Sequence, residues 1–148
     1  MLYRKLGKTG EKVSILGFGC MRLPVIDGNP EKIDPHATEM LHYALEHGVN
    51  LFDTGYSYHS SSASQSGQSE VWLGNALKDG YREDVYISTK LPSWLIKKRE
   101  DLNYYLDKQL EKLQTKYIDF YLLHGLGQST WSNLESRGVL EFLDSALE

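Results

Sequence analysis

Three apolar segments of the sequence, each with the composition of a buried strand, lead directly into a charged or ionisable side chain. The three side chains are Asp53 after VNLF, Lys90 after VYIST and His124 after IDFYLL. Tyr58 follows shortly after Asp53. Neighbouring strands of a sheet lie about 4.8 Å apart, so parallel strands could bring these groups into one pocket. A single polar residue at a strand end is commonly a cap or a surface group, but its recurrence at three strands favours a shared site.

The chemistry that needs this set of groups is the reduction of a carbonyl. A hydride that reaches the carbonyl carbon leaves an alkoxide, which requires a proton donor. Free tyrosine is a weak acid, with a pKa of about 10, and a neighbouring ammonium group stabilises its phenolate. Tyr58 beside Lys90 would meet that requirement. A carboxylate such as Asp53 would hold the lysine in place, and an imidazole such as His124 could hydrogen-bond the carbonyl oxygen.

Strands and helices that alternate along the chain must position these residues. Two short segments that flank the turn KTGE predict a hairpin, and the apolar run 14–21 predicts a buried strand. Apolar residues at helical spacing predict four helices, which begin near Asp34, Ser69, Leu102 and Val139. This order predicts an α/β fold whose strands are parallel and joined by right-handed crossovers.

A flat doubly wound sheet and a closed (β/α)8 barrel both begin with this order. The stretch 17–19 lacks the GxGxxG spacing of a dinucleotide fingerprint, and polar residues at successive strand ends are typical of barrels. A barrel needs eight strands and roughly 250 residues, whereas these 148 residues supply only four strands after the hairpin. The prediction is therefore the N-terminal half of a (β/α)8 TIM barrel preceded by a short hairpin. Residues 1–148 would form one incomplete domain that ends inside the fourth helix.

The composition argues against several classes of protein. A net charge of -4 gives no reason to expect nucleic acid or an anionic membrane as a partner. No apolar run approaches the roughly 20 residues of a membrane span, and the N-terminus lacks the apolar segment of a signal peptide. The single cysteine, Cys20, fits a reducing compartment, so the cytoplasm is the expected location. Five histidines without a tight cluster predict no metal site.

Five stretches of the sequence together resemble the aldo-keto reductase family. In chain order they are ILGFGCMRLP, NLFDTGYSYH, GQSEVWLGNALKDG, VYISTKLP and YIDFYLLHGL. The resemblance implies reduction of an aldehyde or ketone by NADPH, with a small-molecule carbonyl as substrate. It also implies that Tyr58 donates the proton, that Lys90 and Asp53 tune it, and that His124 orients the carbonyl.

The resemblance further implies contacts with the cofactor. The residues that would line the nicotinamide-ribose end of NADP are Gly19, Cys20, Met21 and Asp53. Tyr56, His59 and Trp94 are candidate substrate contacts because of their positions near Tyr58 and Lys90 in the sequence, rather than because of the resemblance. Tyr56 could instead pack beneath its loop, and Trp94 could cover the barrel rim. The phosphate and adenine contacts of the family come largely from the second half of the barrel, so this chain alone is not expected to hold NADPH tightly.

Other functions and partners stay open at this point. The stretch 99–126 resembles a bacterial and archaeal branch of the family that often carries a C-terminal ferredoxin-like iron–sulfur domain, whose cysteines are not among these residues. A regulatory subunit that binds a nicotinamide nucleotide with little turnover is one alternative, and an inert truncated fragment is another. A half-barrel would expose sheet edges, so self-association or pairing with the missing half is also expected.

Overall fold

A computed structural model of the protein describes residues 1–147. The chain begins with the predicted antiparallel hairpin, formed by β1 (Tyr3–Lys5) and β2 (Lys12–Ser14). Asn50 fastens this hairpin to the strand that follows it in the fold, because its side-chain amide accepts from the Ser14 N–H at 2.8 Å and donates to the Lys12 carbonyl at 3.0 Å. The hairpin therefore lies at the amino end of the main sheet.

The main sheet contains four parallel strands in chain order. They are β3 (Phe18–Gly19), β4 (Leu51–Asp53), β5 (Tyr86–Leu91) and β6 (Phe120–Leu123). Gly19 lies opposite Asp53 in the register, and Asp53 lies opposite Ser88. Since all four strands point the same way, their carboxyl ends share one edge, as the sequence predicts.

The first of these strands is much shorter than the apolar run 14–21 predicts. Ile15 and Leu16 are 55% and 59% exposed and lie in a bend rather than in a buried strand. The bend forms because the Ser14 hydroxyl donates to the Leu16 carbonyl at 2.6 Å, which turns the chain between the hairpin and β3. Apolar composition alone could not show this local hydrogen bond.

Five α-helices accompany the strands in the described part of the chain. They are α1 (His36–Glu46), α2 (Ser69–Ala76), α3 (Glu100–Leu113), α4 (Gln128–Ser136) and α5 (Val139–Ala146). Asp34 caps α1 as predicted, because its Oδ1 accepts from the His36 N–H at 2.9 Å. Gly48 follows the end of α1 with a φ of 87°, a left-handed conformation that glycine adopts without strain.

The sequence predicts four helices, of which the last begins near Val139. This count is wrong because the structure contains a further helix, α4, before it. The sequence of α4, QSTWSNLES, is polar and rich in residues that favour turns, so it lacks an obvious helical pattern. The helix starts where the Gly127 N–H donates to Thr130 Oγ1 at 2.9 Å, and Leu134 is fully buried beneath it. The last helix, α5, ends at Ala146, and Glu148 lies outside the described residues.

Alternation along β5 divides the sheet into an apolar face and a polar face. Ile87, Thr89 and Leu91 are fully buried against the helices, while Ser88 and Lys90 point to the opposite face. Two apolar clusters fill the helical side; their largest buried members are Leu41, Phe52, Leu73 and Ile87 in one and Leu91, Leu102, Leu134 and Phe142 in the other. Each such side chain contributes about 1.5–3 kcal/mol by its burial. Within residues 1–147, no helix combines the length and apolar character needed to cross a membrane.

Candidate active site

Lys90 and Asp53 form an ion pair at the carboxyl edge of the sheet. Lys90 Nζ lies 2.8 Å and 2.7 Å from the two carboxylate oxygens of Asp53 and 2.5 Å from the carbonyl oxygen of Thr54. Because an ammonium group has three protons, these three acceptors can occupy all of them. Ser88 also donates to Asp53 Oδ1 at 2.8 Å. The lysine side chain is only 13% exposed, so the ammonium group is held in one position.

Tyr58 lies beside this ion pair. Lys90 Nζ is 5.0 Å from the centroid of the Tyr58 ring, and the ring meets His124 edge-on with centroids 5.7 Å apart. Gly55 makes room for the tyrosine, since a Cβ on Gly55 would stand only 3.0–3.2 Å from three atoms of the ring. The structure thus brings together Asp53, Tyr58, Lys90 and His124, the four side chains that the strand ends predict as neighbours.

A cavity of about 560 Å³ opens in front of Tyr58 and His124. Its wall includes Met21, Val25 and Trp94 together with serines of the loop that follows Tyr58. Trp94 meets the His124 ring edge-on with centroids 5.0 Å apart, and its Nε1–H donates to the carbonyl oxygen of Ala63 at 3.1 Å. The indole therefore lies at the cavity, where the sequence places a candidate substrate contact.

His59, whose role the sequence leaves open, is a buried connector between loops. Its Nε2 accepts from the Leu23 N–H at 3.1 Å, and its Nδ1 is 2.9 Å from the carbonyl oxygen of Pro30. Because a backbone N–H can only donate, Nε2 must be unprotonated and Nδ1 must carry the proton. Both ring nitrogens are thus used in fixing the loop before α1 to the loop after Tyr58.

Tyr56, a candidate substrate contact, faces away from the cavity. Tyr56 packs edge-on against Tyr105 of α3 with centroids 5.1 Å apart, and Lys112 Nζ lies 4.4 Å from its ring centroid. The structure therefore does not place Tyr56 as a substrate contact, because its ring packs against α3, which is the alternative that the sequence left open. Burial raises the pKa of the Tyr56 hydroxyl.

Cys20 is enclosed in the apolar core and has no exposed surface. Its N–H donates to the Asp53 carbonyl at 2.8 Å, and its carbonyl accepts from the Ser69 hydroxyl at 2.9 Å. Burial raises the pKa of the thiol far above its usual range. The structure therefore removes Cys20 from the surfaces that a cofactor could reach, whereas Gly19 and Met21 beside it are exposed.

The pKa of His124 is lowered from its ordinary value of 6.5, first because burial disfavours the imidazolium ion and second because the Lys90 ammonium group repels it, while Asp53 acts in the opposite direction. The imidazole is therefore neutral at neutral pH. Its Nδ1 is buried and has no hydrogen-bond partner among residues 1–147. A neutral imidazole carries one proton, so Nε2 is a hydrogen-bond donor in the tautomer that leaves Nδ1 unprotonated.

We expect the His124 ring signals to titrate with a midpoint below 6.5 in the NMR spectrum of the chain. Lys90→Met should raise this midpoint, because it removes the repelling charge and leaves Asp53 unpaired, whereas Lys8→Met in the exposed hairpin turn should not change it. Since the folded pKa lies below the unfolded one, the stability that the neutral ring contributes is complete above pH 6.5 and decreases as the pH falls from there through the folded pKa. A midpoint at or above 6.5 in the parent chain would contradict this description of the site.

Behind the sheet lies a buried polar cluster that the sequence did not predict as part of the site. It contains Ser69 and Glu70 of α2, Thr89 of β5, and Gln109 and Lys112 of α3. The stretch GQSE held the only signal, since a glutamate and a serine interrupt an otherwise apolar helix. Their partners come from other elements far along the chain, so spacing alone could not reveal the cluster. Among the described residues, no group of three or more His, Cys, Asp or Glu is arranged to hold a metal ion.

Comparison with known proteins matches most of this chain to aldo-keto reductases. The model of the aldo/keto reductase family matches residues 15–145. A probable aldo-keto reductase from Glycine max is 32% identical over 133 residues, which cover 84% of this chain and 36% of the relative. The chain thus spans little more than a third of that curated relative.

Solved structures of aldo-keto reductases share the fold of this chain. A thermostable aldo-keto reductase crystallised with the inhibitor epalrestat is 32% identical, with a TM-score of 0.66 over 97% of this chain and 51% of its own. The holo form of an aldo-keto reductase from Bacillus halodurans is 31% identical, with a TM-score of 0.63 over 94% of this chain and 46% of its own. The four parallel strands and their helices therefore correspond to about half of each of these two chains.

Proposed function

The chain belongs to the aldo/keto reductase family, and from this membership we propose that it forms part of an NADPH-dependent oxidoreductase that reduces an aldehyde or a ketone. The observation that carries the proposal is the arrangement of Tyr58 between the anchored Lys90 ammonium group and the His124 ring, at the wall of a cavity. Tyr58 and His124 line the cavity, and the Lys90 ammonium group lies 5.0 Å from the centroid of the Tyr58 ring.

Each of the four side chains has a separate task in the proposed reaction. Tyr58 gives its hydroxyl proton to the oxygen of the carbonyl as negative charge develops there. The Lys90 ammonium group stabilises the phenolate that remains, and Asp53 with Thr54 keeps that ammonium group in place. His124 is neutral, and in its Nε2-protonated tautomer it donates a hydrogen bond to the same carbonyl oxygen and polarises it.

The floor of the site beside Asp53 suits a nicotinamide ring. Gly19 lies opposite Asp53 in the sheet, and the space where its Cβ would stand is free of other atoms for 4 Å. The Met21 side chain next to it is 55% exposed. Gly19, Met21 and Asp53 would therefore hold the nicotinamide-ribose end of the cofactor. A reduced nicotinamide bound there supplies the hydride that the carbonyl carbon receives. The choice of NADPH over NADH rests on the family resemblance.

The lining of the cavity favours an uncharged substrate. Among its described residues, none is a lysine, arginine, aspartate or glutamate. Trp94, Val25 and Met21 offer apolar contact, and hydroxyl groups come from the serines. We propose a neutral aldehyde or ketone that places its carbonyl between Tyr58 and His124 and its apolar part against Trp94. The sole cysteine, enclosed in the core, supports a cytoplasmic location as part of the same proposal.

Transfer of an isotope tests the proposed reaction directly. The native protein that carries these residues is incubated with NADPH deuterated at the transferable position and with a panel of neutral aldehydes and ketones. We expect oxidation of NADPH that depends on the carbonyl, with deuterium at the carbinol carbon of the product. Nucleotide binding without turnover of any carbonyl would instead favour the regulatory subunit, and the absence of both binding and turnover would contradict the proposal.

A further inference from the structure

The residues that precede and begin α2 contact three segments of the proposed site: Cys20 after β3, the loop that carries Tyr58, and Thr89 of β5. We call residues 67–70 the anchor segment. We propose that its last two members, Ser69 and Glu70, are positioning residues that fix the ammonium group of Lys90 from behind the sheet. This inference rests on the proposed function for its catalytic meaning, while the geometry that it claims can be measured without turnover.

Ser69 fixes Thr54, whose backbone carbonyl is an acceptor for Lys90. Ser69 is fully buried; its hydroxyl donates to the Cys20 carbonyl at 2.9 Å and lies 2.8 Å from Thr54 Oγ1. Since the one hydroxyl proton of Ser69 goes to Cys20, Thr54 must be the donor in the bond between the two hydroxyl groups. The Thr54 side chain is thereby held on the helical side of the sheet. On the opposite side, the Thr54 carbonyl oxygen accepts a hydrogen bond from Lys90 Nζ at 2.5 Å.

Glu70 fixes the strand that carries Lys90. Its side chain is fully buried, and Oε1 accepts from Thr89 Oγ1 at 2.7 Å and from Gln109 Nε2. Gln109 Nε2 also lies 3.1 Å from the backbone carbonyl oxygen of Lys90. The other carboxylate oxygen of Glu70 forms an ion pair with Lys112 of α3. Glu70 of α2 thus binds the Thr89 side chain and the Gln109 amide, and that amide of α3 in turn binds the backbone carbonyl of Lys90.

A buried carboxylate is a costly way to fill this space. Removing such an ion from water costs several kcal/mol, which its partners must offset, and an apolar side chain of similar size commonly stabilises a core at least as well. Hydrogen bonds, however, define direction, which apolar contacts do not. Glu70 therefore contributes a defined position for the strand that carries Lys90 rather than added stability. A displacement of about 1 Å at a reacting group can cost about 10²-fold in rate.

The anchor segment also holds the loop that carries the proton donor. The Gly67 N–H donates to the Tyr56 carbonyl at 2.8 Å, and the Ser69 N–H donates to the Tyr58 carbonyl at 3.2 Å. One short segment therefore sets the position of Tyr58 through its backbone and the position of Lys90 through the side chains of Ser69 and Glu70. This shared support is the physical reason that the two groups keep their separation.

Exchange of the Lys90 ammonium protons with water measures this placement in the chain itself. The lysine signal in the nitrogen-15 NMR spectrum is assigned by its loss in Lys90→Met. We expect Ser69→Ala to accelerate the exchange by about threefold to tenfold, the effect of losing one buried hydrogen bond. Glu70→Met should accelerate it similarly, and Glu70→Gln should do so less, because glutamine keeps an acceptor for Thr89.

Ser14→Ala is the matched control. Ser14 is also buried, and its hydroxyl likewise makes two hydrogen bonds, to the Leu16 carbonyl at 2.6 Å and from the Asn50 N–H at 3.1 Å. This control should lower the thermal midpoint of unfolding about as much as Ser69→Ala does but leave the Lys90 exchange unchanged. Equal acceleration in the control, or parent-like exchange in a folded Ser69→Ala, would overturn the inference. If Glu70→Met does not fold, Ser69→Ala and Glu70→Gln decide the question.

Kinetics of the native protein separate this inference from the proposed function. Where the parent reduces a carbonyl, Ser69→Ala should lower kcat by about tenfold, between the effect of one hydrogen bond and that of a misplaced reacting group, with KM nearly unchanged. A parent that reduces no carbonyl defeats the proposed function, yet its exchange rates still test the positioning. Slow turnover by the variant with a parent-like exchange rate would overturn the positioning role and leave the function intact.

Discussion

Tyr58→Phe is expected to lower kcat for carbonyl reduction by about 10²–10⁴-fold, the usual contribution of a general acid, while NADPH affinity stays nearly unchanged. The substitution removes only the hydroxyl oxygen, so the ring can keep its edge-on contact with His124 and its place near Lys90. The alkoxide that forms would then have to take its proton from water. Steady-state kinetics with a neutral aldehyde and a fluorescence titration with NADPH measure the two quantities on the native protein.

Tyr56→Phe provides a matched control for this experiment. It makes the same chemical change two positions earlier, on a ring that packs against Tyr105 rather than the cavity. We expect its kcat to stay within about twofold of the parent, as for a substitution that removes no contact with the reacting groups. Equal losses in the two variants, or a Tyr58→Phe protein as active as the parent, would remove Tyr58 from its proposed role.

The proximity of the four candidate active-site side chains could be predicted from the sequence because each position depends on a local rule. Asp53, Lys90 and His124 end apolar segments or directly follow them, and parallel strands bring such ends to one edge. The only long-range assumption needed was that the strands are parallel and neighbour one another in chain order. Tyr58 follows Asp53 closely in the sequence, so the tyrosine must lie near the same edge of the sheet. Local pattern and topology were together sufficient.

The features that the sequence did not predict depend on contacts between distant segments. Tyr56 and Tyr58 are nearly adjacent, yet only α3 determines that Tyr56 turns away. The burial of Cys20 depends on the core that α1 and α2 complete around it. Glu70 needs Thr89, Gln109 and Lys112, which no motif connects to it. Helix α4 forms although its own residues favour turns, because Leu134 is buried against the cluster that also contains α5.

Gly67→Ala is expected to be the most damaging single-methyl change in the loop beside the site. A Cβ at this position would stand 1.8 Å from the carbonyl oxygen of Tyr58 and 2.6 Å from its carbonyl carbon. Both are backbone atoms that cannot rotate aside, so the anchor segment and the Tyr58 loop must separate. Overpacking of this kind costs about 1–3 kcal/mol of unfolding free energy, occasionally more. The midpoint of urea unfolding measures that loss.

Two other glycines distinguish a loss of stability from a displacement of Tyr58. Gly74→Ala creates a comparable clash, 2.7 Å from backbone atoms of Leu113 and Lys112, but between α2 and α3. Gly127→Ala brings its new methyl no nearer than 3.7 Å to Thr130 Oγ1 and should cost at most about 1 kcal/mol, the effect of alanine at the N-cap of α4. We therefore expect Gly67→Ala and Gly74→Ala to unfold at lower urea concentrations, and only Gly67→Ala to shift the ring resonances of Tyr58 and His124.

A folded Gly67→Ala protein with parent-like resonances would contradict the close approach of the anchor segment to Tyr58. If instead Gly74→Ala shifted the same resonances, the two rings would be responding to stability alone, and the separate backbone support of Tyr58 would be refuted.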